Sequence, residues 1–375
     1  MSDSLASRAR QALAVAPEGV YLNTAAEGLL LASAAAAWDR YGAAKARGAL
    51  GREEFAAIEA EARRRFATAV SAAVHDVAFV ASTSRGLDIV LKGIDWRDGD
   101  VLVTLEGEFP STLFNVELLR SRGVEVRLVA ARDGALREDD IVAAMDERTR
   151  LVVASLVSFR SGQRLDLRSI GARAEQIGAL VFADAVQAVG AGEVSMEGID
   201  VLCAATFKWQ LGVHGTAGFA ATRRAREILA PSYAGYRSVV ELFPALTSDF
   251  RLHPDTRRFE EGMPAFPALA VLAASLAELE EWGYARIGEH NRRAVRVLRD
   301  GLRELGITPI LADDRVETGG IIAFESDDHV RIAEELARRG TTVWARDGRV
   351  RLAAHAYTSD ADTETVLAQL KRIGV

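Results

Sequence analysis

The sequence predicts an α/β fold: a large domain built on a largely parallel sheet covered by helices, with a smaller α+β unit at the C-terminal end. Three observations predict it. Short, nearly uninterrupted apolar runs recur from residue 77 to about residue 221. Stretches of helical period separate them. After about residue 305 the pattern changes to closely spaced strands flanked by two helices. Strands with no polar alternation are buried on both faces, the condition of a parallel sheet between helical layers.

Taken in order, residues 52–74 carry apolar positions at three- and four-residue spacing and predict a helix. Strands follow at 77–80 (VAFV), 101–104 (VLVT), 124–129 (VEVRLV), 151–157 (LVVASLV), 179–183 (ALVFA), 201–205 (VLCAA) and 217–221 (AGFAA). Helices are expected at about 84–93, 111–122, 137–146 and 167–178. The stretch from Pro231 to Pro267 is rich in Pro, Gly and aromatic residues. It reads as a loop that lines a site or an interface, or as a plain long connection. Two helices follow over 267–282 and 285–305. The last part reads strand 307–311, strand 319–324, helix 328–339, strand 342–346, strand 349–353 and helix 360–372. The large domain is expected over 20–265, and the small one over 1–19 and 266–375.

Composition bounds the function. A chain of 375 residues, 49% hydrophobic and 26% charged, is a globular protein of roughly two domains. A net charge of −7 argues against nucleic acid, which needs a basic face. One cysteine, Cys203, excludes an internal disulfide framework and suits a reducing compartment. The start MSDSLASRAR has no apolar core and is not read as a secretory signal. The longest apolar stretch, 29–38, is too short to span a bilayer. A cytoplasmic protein with no membrane partner is expected, and no metal site is indicated.

The basic residues are more informative. Only Lys45, Lys92, Lys208 and Lys371 are lysines among 46 basic residues. Lys208 alone sits between two aromatics, in CAATFKWQLG. Arginine cannot replace lysine where a neutral amine must attack a carbonyl. Open α/β sheets bind ligands beyond the carboxyl ends of their strands. Beyond VAFV stand Ser82, Thr83 and Ser84 at a helix start, where free amides favour a phosphate. Beyond VLVT stands Phe109, beyond ALVFA stand Asp184 and Gln187, and beyond VLCAA stand Thr206 and Lys208. Each has a bland alternative: a helix N-cap, core packing, a snorkelling stem. Together they fit pyridoxal 5′-phosphate. The lysine would form a Schiff base with the aldehyde, the acid would keep the pyridine nitrogen protonated, and the phenylalanine would cover the ring.

The blocks YLNTAAEG (21–28), ASTSRGLD (81–88), EGEFPS (106–111), DAVQAVG (184–190), FKWQLGVHGTAGF (207–219), RRFEEGMPAFPAL (257–269) and VRLAAHAYTSDAD (350–362) resemble, in order, those of the class V aminotransferases. That family includes cysteine desulfurases, isopenicillin N epimerase-like enzymes and, more distantly, kynureninases. The resemblance implies the type I fold of pyridoxal-phosphate enzymes, with a mixed, mainly parallel seven-stranded sheet, and a homodimer. It makes Lys208 the Schiff-base lysine, Asp184 the partner of the pyridine nitrogen and Gln187 that of the ring hydroxyl. It gives Thr83 and Ser84 the phosphate, Phe109 the ring face, Arg351 the substrate carboxylate, and Asn23 a place in the segment closing over the substrate. His355 and His214 read as structural.

Some positions depart from the family pattern. Ala205 and Phe207 stand where desulfurases have serine and histidine, which leaves Thr206 as the nearest hydroxyl. Met263 replaces a threonine that in many members reaches the partner subunit's phosphate. SFRSG (158–162) lacks the desulfurase asparagine, and Arg160 or Ser158 is a candidate to face the cofactor or substrate. Residues 300–375 hold no cysteine, so a persulfide-carrying desulfurase is not expected. The expected function is a pyridoxal-phosphate aminotransferase acting on a free amino acid. An epimerase, a β-eliminating lyase and a non-catalytic module of the same fold stay open. A dinucleotide oxidoreductase has no support, because no GxGxxG follows the early strands.

Overall fold

The computed structural model describes residues 5–311 and 313–375; residues 1–4 of the expected N-terminal part of the small domain lie outside it. Seven strands form one sheet: Val77–Val80 (β1), Val101–Leu105 (β2), Glu125–Val129 (β3), Thr149–Ser155 (β4), Leu180–Asp184 (β5), Val201–Ala205 (β6) and Ala217–Ala221 (β7). Their order is β3-β2-β4-β5-β6-β7-β1. Neighbours are parallel except at β7, which runs against both β6 and β1. The other strands therefore all end at one edge of the sheet, and the chain leaves that edge through the segments that carry the candidate site.

Alternation sorts the strand residues into two apolar layers. Val101, Val103, Val152, Ala154, Leu202 and Ala204 face one; Leu102, Leu151, Val153, Val201 and Cys203 face the other. Both faces are dry, so no polar period appears in the strands. Burying one such valine or leucine side chain is worth roughly 1.5–3 kcal/mol. A charged residue at Val152 or Val153 would therefore unseat a helical layer.

The C-terminal sheet consists of Ile321–Glu325 (β8), Trp344–Arg346 (β9) and Arg349–Ala353 (β10), antiparallel in the order β9-β10-β8. Val350 and Leu352 join a separate apolar cluster with Val295, Leu298, Phe324, Ile332 and Val366. The two-residue period then turns Arg349 and Arg351 to the opposite face. Val20–Tyr21 pairs in parallel with Thr341–Thr342, and the Ala353 amide donates to the Leu22 carbonyl at 2.8 Å. The N-terminal segment is thus stitched beside β10.

Several boundaries differ from expectation. The strand expected at 307–311 is a single bridge from Pro309 to Phe324; proline has no N–H to continue a ladder. The strand expected at 342–346 is two pieces, Thr341–Thr342 and Trp344–Arg346. The helix expected over 52–74 ends at Ala69, just before Ser71 turns to φ 53°. That expected over 111–122 is Pro110–Glu117 and a short 3-10 turn closed by Gly123 at φ 79°. Helices Leu5–Gln11 and Ala32–Ala46 were not expected. Their alanine-rich sequences carry little helical amphipathic contrast. Among the described residues no helix is long and apolar enough to cross a membrane, and no cluster of His, Cys, Asp or Glu could hold a metal.

Candidate active site

The loop after β6 fixes Lys208. The Thr206 hydroxyl donates to the Val213 carbonyl at 2.7 Å, and the Gly212 and Leu211 amides donate to the Thr206 and Lys208 carbonyls at 2.9 and 3.1 Å. Leu211 closes the turn at φ 53°, a left-handed conformation that costs a branched residue energy and persists only where neighbours enforce it. Gly28 comes so close that a Cβ there would lie 2.1 Å from the Lys208 carbonyl oxygen. Its own amide donates to the Phe207 carbonyl at 2.9 Å.

The side chain of Lys208 enters a cavity of about 170 Å³ lined by Ser82, Thr83, Ser84, Phe109, Asp184 and Gln187, among others. The amine lies 5.7 Å from the Phe109 ring centre and 5.6 Å from that of Phe207. Burial lowers its pKa to about 8, the nearby Arg351 charge helps, and Asp184 opposes.

Asp184 ends β5, opposite Ser155 on one side and Cys203 on the other. One carboxylate oxygen accepts the Val186 amide at 3.0 Å. Burial raises the pKa of this acid, with Val186 and Lys208 pulling it back. A cation placed against it would keep it ionised. Gln187 is held at both ends: it donates to the Ala25 carbonyl at 3.1 Å and accepts the Trp209 indole N–H at 2.6 Å.

The helix Thr83–Gly93 opens at this cavity. Ser82 caps it by accepting the Arg85 amide at 3.1 Å, which leaves the amides of Thr83 and Ser84 ahead of the first helical bond. The Thr83 hydroxyl accepts the Ala205 amide at 3.0 Å and so joins the helix start to the end of β6. Arg351 is buried on β10 and donates to the Phe159 carbonyl at 3.1 Å. Phe159 meets the Phe109 ring edge-on at 5.2 Å. Asn23 bridges to Ala353 of the same strand and has a buried side-chain oxygen with no partner.

Two expected placements are corrected. The Thr206 hydroxyl is spent on the Val213 and Thr216 carbonyls and does not line the cavity, so it is no cofactor ligand here. Ser158 and Arg160 face a neighbouring cavity of about 480 Å³. There Ser158 accepts the Arg160 and Ser161 amides, and Arg160 pairs with Glu325 at 3.4 Å. Met263, noted in the sequence for a contact across subunits, is 61% exposed and lies beside Gly215 and Thr216, outside the Lys208 cavity of its own chain.

His355 bonds the Trp209 carbonyl at 2.9 Å, lies buried between Trp209 and Tyr357, and has its pKa lowered by burial to about 4. It is a neutral packing group. His214 stacks on Phe207 and faces Glu27 at 3.3 Å.

Sequence reasoning missed Glu108, Trp209, Phe159 and Arg349. Glu108 is buried and accepts both the amide and the hydroxyl of Ser155 at 2.5 Å. Burial, with the neighbouring Asp184 charge adding to it, raises its pKa to about 7. Its position one residue before Phe109, at a strand end, was the available signal.

The donor set suits pyridoxal phosphate. Free amides at a helix start match a phosphate, a buried acid matches a protonated ring nitrogen, an aromatic plate matches the ring, and a depressed lysine matches an aldehyde. Fold and site together define a type I pyridoxal-phosphate enzyme. The model of the family "Aminotransferase class-V" matches residues 20–349. The chain belongs to that family. It is 28% identical over 285 residues to a probable cysteine desulfurase of Methanothermobacter thermautotrophicus, covering 74% of this chain and 70% of the relative. It is 28% identical over 321 residues to the kynureninase of Geobacillus thermodenitrificans, covering 81% and 75%. In fold it matches the apo cysteine desulfurase of Thermococcus onnurineus NA1 with a TM-score of 0.90 at 22% identity, covering 99% and 98%.

Proposed function

We propose that the chain is an aminotransferase that acts on a free amino acid, with Lys208 as its proton carrier. The observation that supports this most directly is the placement of the Lys208 amine. It is buried between the Phe109 and Phe207 rings, within the field of Arg351. Bound pyridoxal phosphate supplies an aldehyde that captures amines and a ring that accepts the electron pair left at the substrate's α-carbon. The protein's groups do the rest. The amides of Thr83 and Ser84 would receive the phosphate, and Phe109 would shield one ring face. Asp184 would hold the proton on the ring nitrogen. Arg351 grips the substrate carboxylate and turns the α-carbon toward Lys208. A neutral Lys208 amine would take the α-proton and give it up at the carbon that was the cofactor's aldehyde, after which water would release the keto acid and leave the amino group on the cofactor.

A β-eliminating lyase is the second reading. The desulfurase likeness favours C–S chemistry, and such a step needs no protein thiol. Amino acids incubated with the holoprotein distinguish the two. Conversion of the cofactor to its amine form marks transfer, and keto acid with ammonia marks elimination. Borohydride reduction should fix the cofactor mass on the peptide that carries Lys208. Label on Lys45, Lys92 or Lys371 instead would overturn the assignment.

A homodimer is part of the proposal. The loop after Pro231 exposes Tyr233, Tyr236, Phe243, Leu246 and Phe250, an apolar set that suits an interface. Sedimentation at the mass of one chain would contradict it. One cysteine supports a reducing, cytoplasmic setting. The limits 20–265 for the large domain, and 1–19 with 266–375 for the small one, are kept as the proposed division; the separate apolar cluster around β10, which takes in Val20, Leu22 and residues from Ala294 onward, supports a distinct C-terminal core.

A further inference from the structure

Arg349 and Arg351 stand two residues apart on β10 and share one face. Both guanidinium groups lie against the ring of Trp344, at 4.7 Å for Arg351 and 5.7 Å for Arg349. Arg349 also lies 5.7 Å from the centre of Phe159, the ring that abuts the Phe109 plate. Their residues are only 3% and 4% exposed.

What sets the pair apart is the hydrogen bonds missing from it. A guanidinium carries five N–H donors. Arg351 uses one, to the Phe159 carbonyl, and its Nε is buried without a partner. Arg349 donates no hydrogen bond to any described residue, and its Nε too is buried and unpartnered. Among the described residues its one ion-pair contact is Asp347 at 3.7 Å, beyond hydrogen-bond reach, and that acid is largely exposed. Arg160 lies near enough to repel Arg349, while Glu325 and Asp347 offset it. Arg160 is itself engaged with Glu325. Buried guanidinium groups with unspent donors are costly unless an anion meets them.

One substrate carboxylate satisfies Arg351 and leaves Arg349 as it was. Two residues along a strand span about 6.6 Å, and both forks lean over the same indole. Neighbouring forks of this kind suit two anionic groups carried on one short skeleton, as in aspartate or glutamate. We infer that Arg349 forms a second anion subsite beside the α-carboxylate position, and that the preferred substrates are amino acids whose side chain carries its own anionic group. The inference rests on the pyridoxal-phosphate reading above and adds the substrate class to it.

The test uses holoprotein and reads binding from the cofactor's absorbance, so it does not depend on turnover. L-aspartate, L-glutamate and L-cysteine sulfinate are titrated against L-asparagine and L-glutamine. The best acid should bind roughly 100-fold more tightly than its amide, as for one partner of a buried charge pair. Arg349→Gln should collapse that ratio toward unity, and Arg349→Lys should keep part of it. Comparable affinities for acid and amide in the wild type would overturn the subsite, as would a full ratio in Arg349→Gln. Should Arg349→Gln not fold, succinate against propionate on wild-type protein decides. A succinate preference of tenfold or more supports the second subsite, and a smaller one overturns it. A protein that stays colourless with added pyridoxal phosphate would sink the cofactor reading and this inference together. A yellow protein without acid preference sinks only the inference.

Discussion

The indole N–H of Trp209 donates to the side-chain oxygen of Gln187 at 2.6 Å, with both residues buried. This bond ties the lysine loop to the segment that follows β5. It also orients the Gln187 amide, whose NH₂ group reaches the Ala25 carbonyl and keeps a second N–H free for a ligand. Trp209→Phe keeps most of the packing and deletes the bond. The buried oxygen of Gln187 then lacks its donor, which costs about 1–3 kcal/mol. The variant should melt at lower temperature and hold pyridoxal phosphate more weakly, the latter read by absorbance titration. Unaltered cofactor affinity would mean that Gln187 plays no part in holding it.

The second prediction follows the charge of Lys208. Burial and the Arg351 guanidinium bring its amine to a pKa of about 8. In apoprotein the neutral form that attacks an aldehyde therefore grows as pH rises through about 8. Reductive trapping of a small aldehyde on Lys208 should follow that curve. Removing a like charge raises a lysine's pKa, so Arg351→Gln should move the midpoint upward. A downward shift would mean that Arg351 does not act on Lys208 through its charge.

Asp184 and Arg351 should fail in different ways. Asp184→Asn loses the anion that holds the proton on the ring nitrogen. Loss of the α-proton should slow, with a barrier higher by ~3–4 kcal/mol, as when another preorganised charge is removed. Arg351→Ala should act chiefly on binding of the substrate carboxylate, by ~2–5 kcal/mol. Steady-state kinetics separate them: kcat falls in the first and KM rises in the second. An unchanged KM in Arg351→Ala would remove the carboxylate role.

How much of this was legible beforehand depends on the kind of contact involved. Strands buried on both faces leave continuous apolar runs, so the seven strands of the large sheet were readable, with shifts of a few residues at their ends. Lys208, Asp184 and Phe109 could be singled out because each lies within a few residues of the end of such a run, and the three line one cavity. The C-terminal strands were harder. Pro309 carries an apolar pattern it cannot turn into a ladder, and the pairing of Val20–Tyr21 with Thr341–Thr342 joins segments far apart in the chain. Thr206 was misread because adjacency to Lys208 does not reveal that its hydroxyl turns inward to the Val213 carbonyl. Arg349 was missed because one arginine among many is distinctive only once its burial and its unspent donors are seen.

Glu108 gives a prediction of stability. Its carboxyl titrates near pH 7 in the fold, raised mainly by burial, against 4.5 for an ordinary glutamate. A raised folded pKa means that the native state keeps its proton longer than the unfolded state does. Stability from this group is full below about pH 4.5 and is lost as pH rises through about 7, a change on the order of 3 kcal/mol. Glu108→Gln cannot titrate, so urea unfolding of its apoprotein should lack that part of the decline. If wild type and variant ran parallel across this range, Glu108 would be ionised throughout.

The last prediction concerns Cys203, the only cysteine in the chain. It lies buried within β6, and its sulfur fills the space against Gly86, where an added Cβ would come within 2.5 Å. Burial raises the pKa of the thiol strongly, with the Asp184 charge adding to it. A thiol so placed is a small apolar filler, because attack on sulfur requires a thiolate that can reach the substrate. Persulfide transfer through this residue is therefore not expected. Cys203→Ser places a hydroxyl beside the Thr83 side chain, so the cost should be about 1–2 kcal/mol of stability, within the usual range for a single substitution. Cofactor loading and the rate of amino-acid conversion should stay close to wild type. A Cys203→Ser protein that binds pyridoxal phosphate normally but converts no amino acid would show that the thiol takes part in the chemistry, and a desulfurase mechanism would then have to be considered again.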